Sequence, residues 1–323
     1  MRTVIITGAN VGIGFTTGKF IATLSEWHVV LACRNQSKAL AAMQAITQAN
    51  PRARLDFVLL DLFSLASVRR FPAALTAIGA PPIGGLILNA GGINMKAKSL
   101  QFTEDGFEQT FQLNFLGHFL LANLLLDHMN VPARIIFVSS DLHDPMATRM
   151  GRITPPRYGP VEDLARGTRT AAKLPPMARY ATAKLYAMMA AYELHRRLQQ
   201  TGRPITVNSW SPGVVPTTQA GRNMNLLLKA IMTSRWFVNF MGSHLSTEEA
   251  AARALAGLLV DEKYSGVSGR YFDGCKEISS SLESRDQGKA RSVWAQSTVL
   301  AGLSQPNHEL TADPVAKLVL PTF

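Results

Sequence analysis

Cysteine, charge and long apolar runs are all scarce in this 323-residue chain, and each shortage excludes a class of protein. Two cysteines, Cys33 and Cys275, cannot build a disulfide framework and read as core or strand residues of a reducing compartment. No run approaches the about 18 uninterrupted apolar residues of a membrane-spanning helix, so none is expected. Only 17% of residues are charged against 47% hydrophobic, which fits a large buried core and excludes disorder. No Ser/Gly-rich or charged linker divides the chain, so one domain over residues 1–303 is expected, followed by a tail at 304–323. The net charge is +11, yet there is no Lys/Arg-rich run and no aromatic–basic interleaving, which excludes nucleic acid as the expected partner. A basic patch beside an anionic cofactor, or peripheral contact with an acidic membrane, are the other uses of that charge. Cys, His and carboxylates nowhere take metal-ligand spacing, so no metal is expected. The first strand begins almost at the initiator, leaving no room for a leader, and a cytoplasmic location follows as the expectation.

What is present is alternation. Short β-branched runs at 3–7, 28–33, 55–60, 85–89, 134–139, 205–210 and 270–273 alternate with helical patterns at 12–25, 36–49, 64–78, 103–129, 178–200, 247–261 and 283–303. That pattern predicts an α/β fold, a Rossmann-type doubly wound parallel sheet of about seven strands flanked by helices. Two stretches break the alternation. Residues 141–179 hold six prolines, seven Arg/Lys and four Asp/Glu and read as a long basic insertion. Residues 214–246, rich in Leu, Met, Phe and Trp, read as a lid over the substrate. Core-packed helices, an apolar pocket and a membrane-facing surface are all compatible with the lid's composition.

The turn Thr7-Gly8-Ala9-Asn10-Val11-Gly12-Ile13-Gly14 joins the first strand to the first helix. Glycines there let backbone N–H groups approach a phosphate at the helix N-terminus, although three residues separate the first two glycines. A ligand-free glycine turn is the bland alternative. Arg34 closes the second strand, twenty residues beyond Gly14, with Lys38 one helical turn further on. An acidic residue there would suit a ribose 2′-hydroxyl; arginine suits a 2′-phosphate, so the position favours NADP(H) over NAD(H). Solvated surface cations are the alternative for both residues.

Tyr180 and Lys184 stand four residues apart in a helical pattern and so share a face. An ammonium beside a phenol is expected to lower the tyrosine pKa towards acid–base use near neutrality. By composition alone, chance supplies such a pair in about one chain in five, so context has to carry it.

That context resembles the short-chain dehydrogenase/reductase family. The matching positions are Thr7-Gly8-x-x-x-Gly12-x-Gly14, Asp61-Leu62, Asn89-Ala90-Gly91, Asn114, Ser140, Tyr180-x-x-x-Lys184 and Pro212-Gly213. The resemblance implies a nicotinamide cofactor held by Gly8, Asn10, Val11, Gly12, Ile13, Gly14, Arg34, Lys38, Asp61, Leu62, Asn89, Ala90, Gly91, Tyr180, Lys184, Pro212, Gly213, Val215 and Thr217. It implies a catalytic set of Asn114, Ser140, Tyr180 and Lys184. In that set Tyr180 is the acid/base, Lys184 also holds the nicotinamide ribose, Ser140 rather than Ser139 donates to the substrate oxygen, and Asn114 positions a water in a proton relay. Ala32-Cys33-Arg34, Leu60-Asp61-Leu62-x-Ser64-Leu65, Asn114-Phe115-Leu116-Gly117-His118-Phe119 and Gly266-Val267-Ser268-Gly269-Arg270-Tyr271-Phe272 are similar to the retinol dehydrogenase and light-dependent protochlorophyllide reductase branch. A cysteine typically follows the Pro-Gly of protochlorophyllide reductases; here Val214 stands there.

The leading expectation is an NADP(H)-dependent oxidoreductase acting on a hydrophobic carbonyl or alcohol, as monomer or homodimer. The alternatives are reduction of a C=C bond and, in another class, a dinucleotide-sensing or scaffold protein. His118 is expected to be a structural histidine, and Ser140, His143 and Asp144 lie too close in sequence for a hydrolase triad.

Overall fold

The structure, a computed structural model, describes residues 1–95, 97, 99–129, 132–168, 171–215, 234 and 246–303. Its centre is a sheet in the order β3-β2-β1-β4-β5-β6-β7-β8, with strands β1 Arg2–Thr7, β2 Trp27–Cys33, β3 Leu55–Leu59, β4 Ile83–Leu88, β5 Ala133–Val138, β6 Ile205–Ser211, β7 Tyr271–Asp273 and β8 Lys276–Ile278. All seven strands read from the sequence are present and mutually parallel. The eighth, three residues long, returns antiparallel beside β7 after the Gly274-Cys275 turn and was too short to leave a pattern. Cys33 is buried in β2 as expected, whereas Cys275 is exposed in that turn.

Side-chain alternation along the strands feeds two cores. Ile5, Val30, Leu86, Ile135 and Val207 point to one face, where α3 (Leu65–Ala77), the helix carrying Asn114, and the helices α7 (Pro176–Thr201) and α9 (Gln287–Leu300) cover them. Val4, Ile6, Val29, Leu31, Ile87, Ile136 and Trp210 point to the other, under α1 (Gly12–Ile21), α2 (Gln36–Ala49) and α8 (Glu248–Val260). The Asn114 helix, α4, runs in three pieces: Gln109–Phe111, a π-helical turn at Gln112–Leu116 and Gly117–Leu126.

The insertion carries more order than its composition suggested. It holds α5 (Arg149–Ile153) and α6 (Val161–Arg166) and short 3-10 turns at Asp141–His143 and Ala171–Lys173. Hydrogen bonds tie it to neighbouring elements. Arg157 N–H donates to Thr182 Oγ1 at 2.9 Å, Tyr186 Oη donates to Gly159 O at 2.9 Å, and Val161 N–H donates to Gln296 Oε1 at 2.9 Å.

Strand order reverses between β1 and β4. At such a switch point helices leave opposite faces of the sheet, and a crevice opens beyond the carboxyl ends of the strands. The ends of β1, β4, β5 and β6 deliver Gly8, Asn89, Ser140 and Pro212 to that edge.

Candidate active site

The β1–α1 turn is shaped by what its glycines avoid. Gly8 takes φ 68° and Gly12 φ 64°, in the left-handed region that favours glycine. A Cβ on Gly8 would lie 3.1 Å from the Ala90 backbone, and one on Gly14 would collide with the Asn89 carboxamide. The Thr7 hydroxyl fastens the next turn, accepting the N–H groups of Asn89 (2.8 Å) and Ala90 (2.9 Å), while Asn89 Nδ2 donates to Thr7 O at 2.8 Å. Helix α1 starts with no side-chain cap at Val11 and no acidic residue in its first turn, which leaves its leading N–H groups without a local cap. They face a groove of about 480 Å³ lined by Asn10, Val11, Gly12, Phe15, Lys38 and Glu248 among others. An uncapped helix start above a glycine cradle fits the pyrophosphate of a dinucleotide.

Arg34 and Lys38 are both exposed near the groove, and the Arg34 guanidinium stacks over Phe63, 5.1 Å from the ring centre. Asn35 caps α2 through Lys38 N–H at 2.9 Å, which leaves the two cationic side chains clear of that cap. Asp61 holds its own turn, accepting Phe63 N–H at 3.0 Å, and Leu62 is buried beneath it. Glu248 in the groove and Phe63 beneath Arg34 carried no signal in the sequence, because only chain crossing brings them there.

At the other end of the crevice, Tyr180, Lys184, Ser140 and Asn114 converge. Lys184 is 2% exposed, with Nζ 5.6 Å from the Tyr180 ring centre and donating to Val138 O at 2.8 Å. Burial brings its pKa down to about 8. The Ser140 hydroxyl lies beside Tyr180 and donates to Asp141 Oδ1 at 3.2 Å. The acidity of Tyr180 departs from the sequence expectation: burial first, and then Asp141, push its pKa up to about 12, with Ser140 pulling the other way. The buried ammonium is engaged by the Val138 carbonyl, and desolvation of the phenolate outweighs its attraction.

Asn114 lies in the π-turn of α4, and its amide is committed to backbone. Nδ2 donates to Gly92 O and to Thr110 O, each at 2.8 Å, and Oδ1 accepts Gly92 N–H at 3.1 Å. It therefore clamps the loop after β4 directly over Lys184; a Cβ at Gly91 would sit 2.7 Å from Asn114 Oδ1 and 3.4 Å from Lys184 Nζ. π-turns recur where a helix must present a side chain off its regular spacing.

His118 is structural, as expected, and neutral. Thr7 Oγ1 already accepts two N–H groups, and of the two acceptors within reach of its single proton, His118 Nε2 at 2.9 Å is nearer than Ile87 O at 3.4 Å, which makes Nε2 the unprotonated nitrogen. Burial first, then the nearby Lys184, hold its pKa down at about 3. His143 makes no triad with Ser140: its Nδ1 bonds the Ser140 carbonyl at 2.6 Å, and its Nε2 accepts Ser281 N–H at 3.3 Å. Ser139 Oγ is buried without a hydrogen-bond partner, whereas Ser140 Oγ donates to Asp141 Oδ1 at 3.2 Å and accepts Leu142 N–H at 3.3 Å.

Pro212, Gly213 and Val215 follow β6 at the same edge, with Gly213 at φ 67° and Val215 buried. Ser246 N–H donates to Val214 O at 2.9 Å, so the two ends of the 214–246 segment meet. Residues 216–233, Thr217 among them, and 235–245, which make up most of the segment expected to be a lid, lie outside the described residues, as does the tail 304–323. A second cavity, about 300 Å³, opens at the opposite edge of the sheet beside Arg2, Arg134 and Glu262. Arg134 there donates to Leu259 O and Asp261 O at 2.8 Å each, capping α8, and the cavity is remote from the groups above.

A family model described as short chain dehydrogenase matches residues 2–158. Human retinol dehydrogenase 13 is 37% identical over 308 residues, covering 95% of this chain and 86% of the relative. The chain belongs to the short-chain dehydrogenase family. The chloroplastic protochlorophyllide reductase of Chlamydomonas reinhardtii is 35% identical over 320 residues, covering 94% of this chain and 78% of the relative. Among solved structures, an uncharacterized protein of Mycobacterium paratuberculosis superposes with a TM-score of 0.67 at 29% identity, covering 94% of each chain. The protein is thus an oxidoreductase of a family that binds nicotinamide cofactors and acts on small molecules. Among the described residues no helix is long and apolar enough to cross a membrane, and no group of His, Cys, Asp and Glu is arranged to hold a metal ion.

Proposed function

We propose that the protein is an NADP(H)-dependent oxidoreductase that interconverts a hydrophobic carbonyl compound and its alcohol, with Tyr180 as acid/base. The observation that carries this reading is the meeting of Tyr180, Ser140 and buried Lys184 at the carboxyl edge, beyond an uncapped helix start built to take a phosphate. The groove residues Asn10, Val11, Gly12 and Lys38 would hold the dinucleotide phosphates, and Arg34 stacked on Phe63 would meet a 2′-phosphate. When bound, the nicotinamide supplies or accepts a hydride.

The remaining chemistry belongs to this chain. Ser140 orients the substrate oxygen, and Tyr180, protonated across the neutral range, gives that oxygen its proton in reduction. Lys184, buried beside the ring, offsets the charge left on the phenolate oxygen. Asn114 fixes the Gly91-Gly92 backbone that walls this pocket. The branch relatives named above give hydrophobic substrates as the first class to try.

Product analysis tests the reading. Purified protein with NADPH and a panel of apolar aldehydes and α,β-unsaturated ketones is expected to give the corresponding alcohols with the C=C bond intact. Saturated ketones as the sole products would replace the reading with C=C reduction. No turnover of any member, alongside tight NADPH binding, would point to a dinucleotide-sensing protein.

A further inference from the structure

We propose that Asp105 and Gln112 are positioning residues that together hold the two ends of the nucleotide crevice at the separation a whole dinucleotide spans. The proposal rests on the reading of the crevice as an NADP(H) site and adds to it the residues that set its length.

The two ends are built on different loops. The adenosine end is the turn between β3 and α3, where Asp61 and Leu62 lie and where Phe63 supports the Arg34 guanidinium from 5.1 Å. That turn is fastened within itself. Asp61 N–H donates to Ser67 Oγ at 3.0 Å, Phe63 N–H to Asp61 Oδ1 at 3.0 Å and Ser67 N–H to Ser64 Oγ at 3.3 Å. The nicotinamide end is the loop after β4, which Asn114 of α4 clamps through both polar groups of the Gly92 backbone. Each end therefore keeps its shape by bonds of its own.

A carboxylate joins them. Asp105 stands in the tight turn before α4, closed by Thr103 N–H to Phe107 O at 2.9 Å and Gly106 N–H to Thr103 O at 3.0 Å. A single oxygen, Asp105 Oδ2, accepts the first N–H of α3, from Leu65, at 2.8 Å and Gln112 Nε2 at 2.7 Å. Gln112 is fully buried and opens the π-turn, two residues before Asn114. Its Oε1 accepts the Thr103 hydroxyl at 2.5 Å. A carboxylate only accepts, so the carboxamide must turn its nitrogen to Asp105, and the side chain is held in one orientation. The same two elements also meet at Gly117, whose N–H closes the π-turn on Gln112 O. A Cβ there would lie 3.0 Å from Leu62 O. The π-turn thus touches the adenosine-end turn at two points while its Asn114 grips the nicotinamide end.

A ligand that spans both ends gains fully from each only when they already stand at the right separation. If they drift, binding has to order them, and part of the second end's contribution is lost. A ligand that fills one end alone does not meet that cost.

The test compares two ligands by calorimetric titration of the full chain: NADPH, which spans the crevice, and adenosine 2′,5′-bisphosphate, which fills the adenosine end alone. Gln112→Met keeps the length of the side chain, removes its link to Asp105 and leaves Asp105 on Leu65 N–H. It is expected to weaken NADPH binding about tenfold and to leave the bisphosphate within about twofold of the parent. Asp105→Asn retains an oxygen for both donors and is expected to bind both ligands as the parent does. Should Gln112→Met fail to fold, Asp105→Ala at its half-buried position carries the same comparison, with NADPH again losing more than the bisphosphate. Equal weakening of the two ligands would reduce the pair to a general structural role and overturn the proposal, as would unchanged NADPH binding. A parent protein that binds neither ligand would overturn the reading of the crevice itself, and the proposal with it.

Discussion

At the scale of single residues, chemistry here follows what each side chain is already bonded to. Lys184 looks from its spacing like an activator of Tyr180, but its Nζ is bound to Val138 O and its own charge is desolvated, so the phenol stays protonated. Spacing reports which groups share a helix face; it carries no information on how deeply that face is buried, and burial decides the sign of the shift. Asn114 likewise could be located from sequence, whereas its grip on the Gly92 backbone could not. Arg34 belongs to this scale as well. It is exposed, stacked on Phe63, and free to meet an anion, so Arg34→Asp is expected to weaken NADPH binding by at least tenfold. NADH binding should change much less. Calorimetric titration with both nucleotides checks this; equal losses would mean that Arg34 never touches the 2′-phosphate.

At the scale of elements, the segments legible in the sequence are those whose apolar period is sustained. α2 runs over Gln36–Ala49, the residues its pattern named, and α7 and α8 differ from expectation only at their ends. The insertion was unreadable for a physical reason. Helices of five and six residues such as α5 and α6 are held by tertiary anchors, Tyr186 to Gly159 and Gln296 to Val161, rather than by a repeating stripe. One buried ion pair joins the two helices that build the site: Arg179, next to Tyr180 on α7, faces Glu108, which also caps α4 by accepting Phe111 N–H at 2.8 Å. Their side chains are 8% and 3% exposed, so solvent cannot compensate if one is removed. Glu108→Gln keeps the cap acceptor but strands the guanidinium, and is expected to cost about 3 kcal/mol of folding stability. Urea denaturation measures this; a loss of only about 0.5 kcal/mol, typical of a surface change, would show that the pair is not a tie between the helices.

At the scale of the molecule, strand order follows from alternation and handedness, and it places residues far apart in sequence along one edge. Thr7, Asn89, Asn114, Ser140 and Tyr180 span much of the chain yet meet there because β1, β4 and β5 are adjacent and parallel. Their positions were legible because the sheet imposes them. Glu248 of the groove and Phe63 under Arg34 were not, since each arrives from a distant segment whose pattern records nothing of the groove. The central claim, that this edge binds a nicotinamide nucleotide and delivers a proton from Tyr180, is tested most directly by comparing Tyr180→Phe with the parent protein in two assays. One is the dissociation constant for NADPH, read by fluorescence quenching; the other is single-turnover reduction of an accepted apolar aldehyde. The account predicts a dissociation constant within about threefold of the parent and a rate reduced by roughly a thousandfold or more, the loss expected when the proton donor of the transition state is removed. A Tyr180→Phe enzyme that binds NADPH and reduces the aldehyde at the parental rate would contradict it.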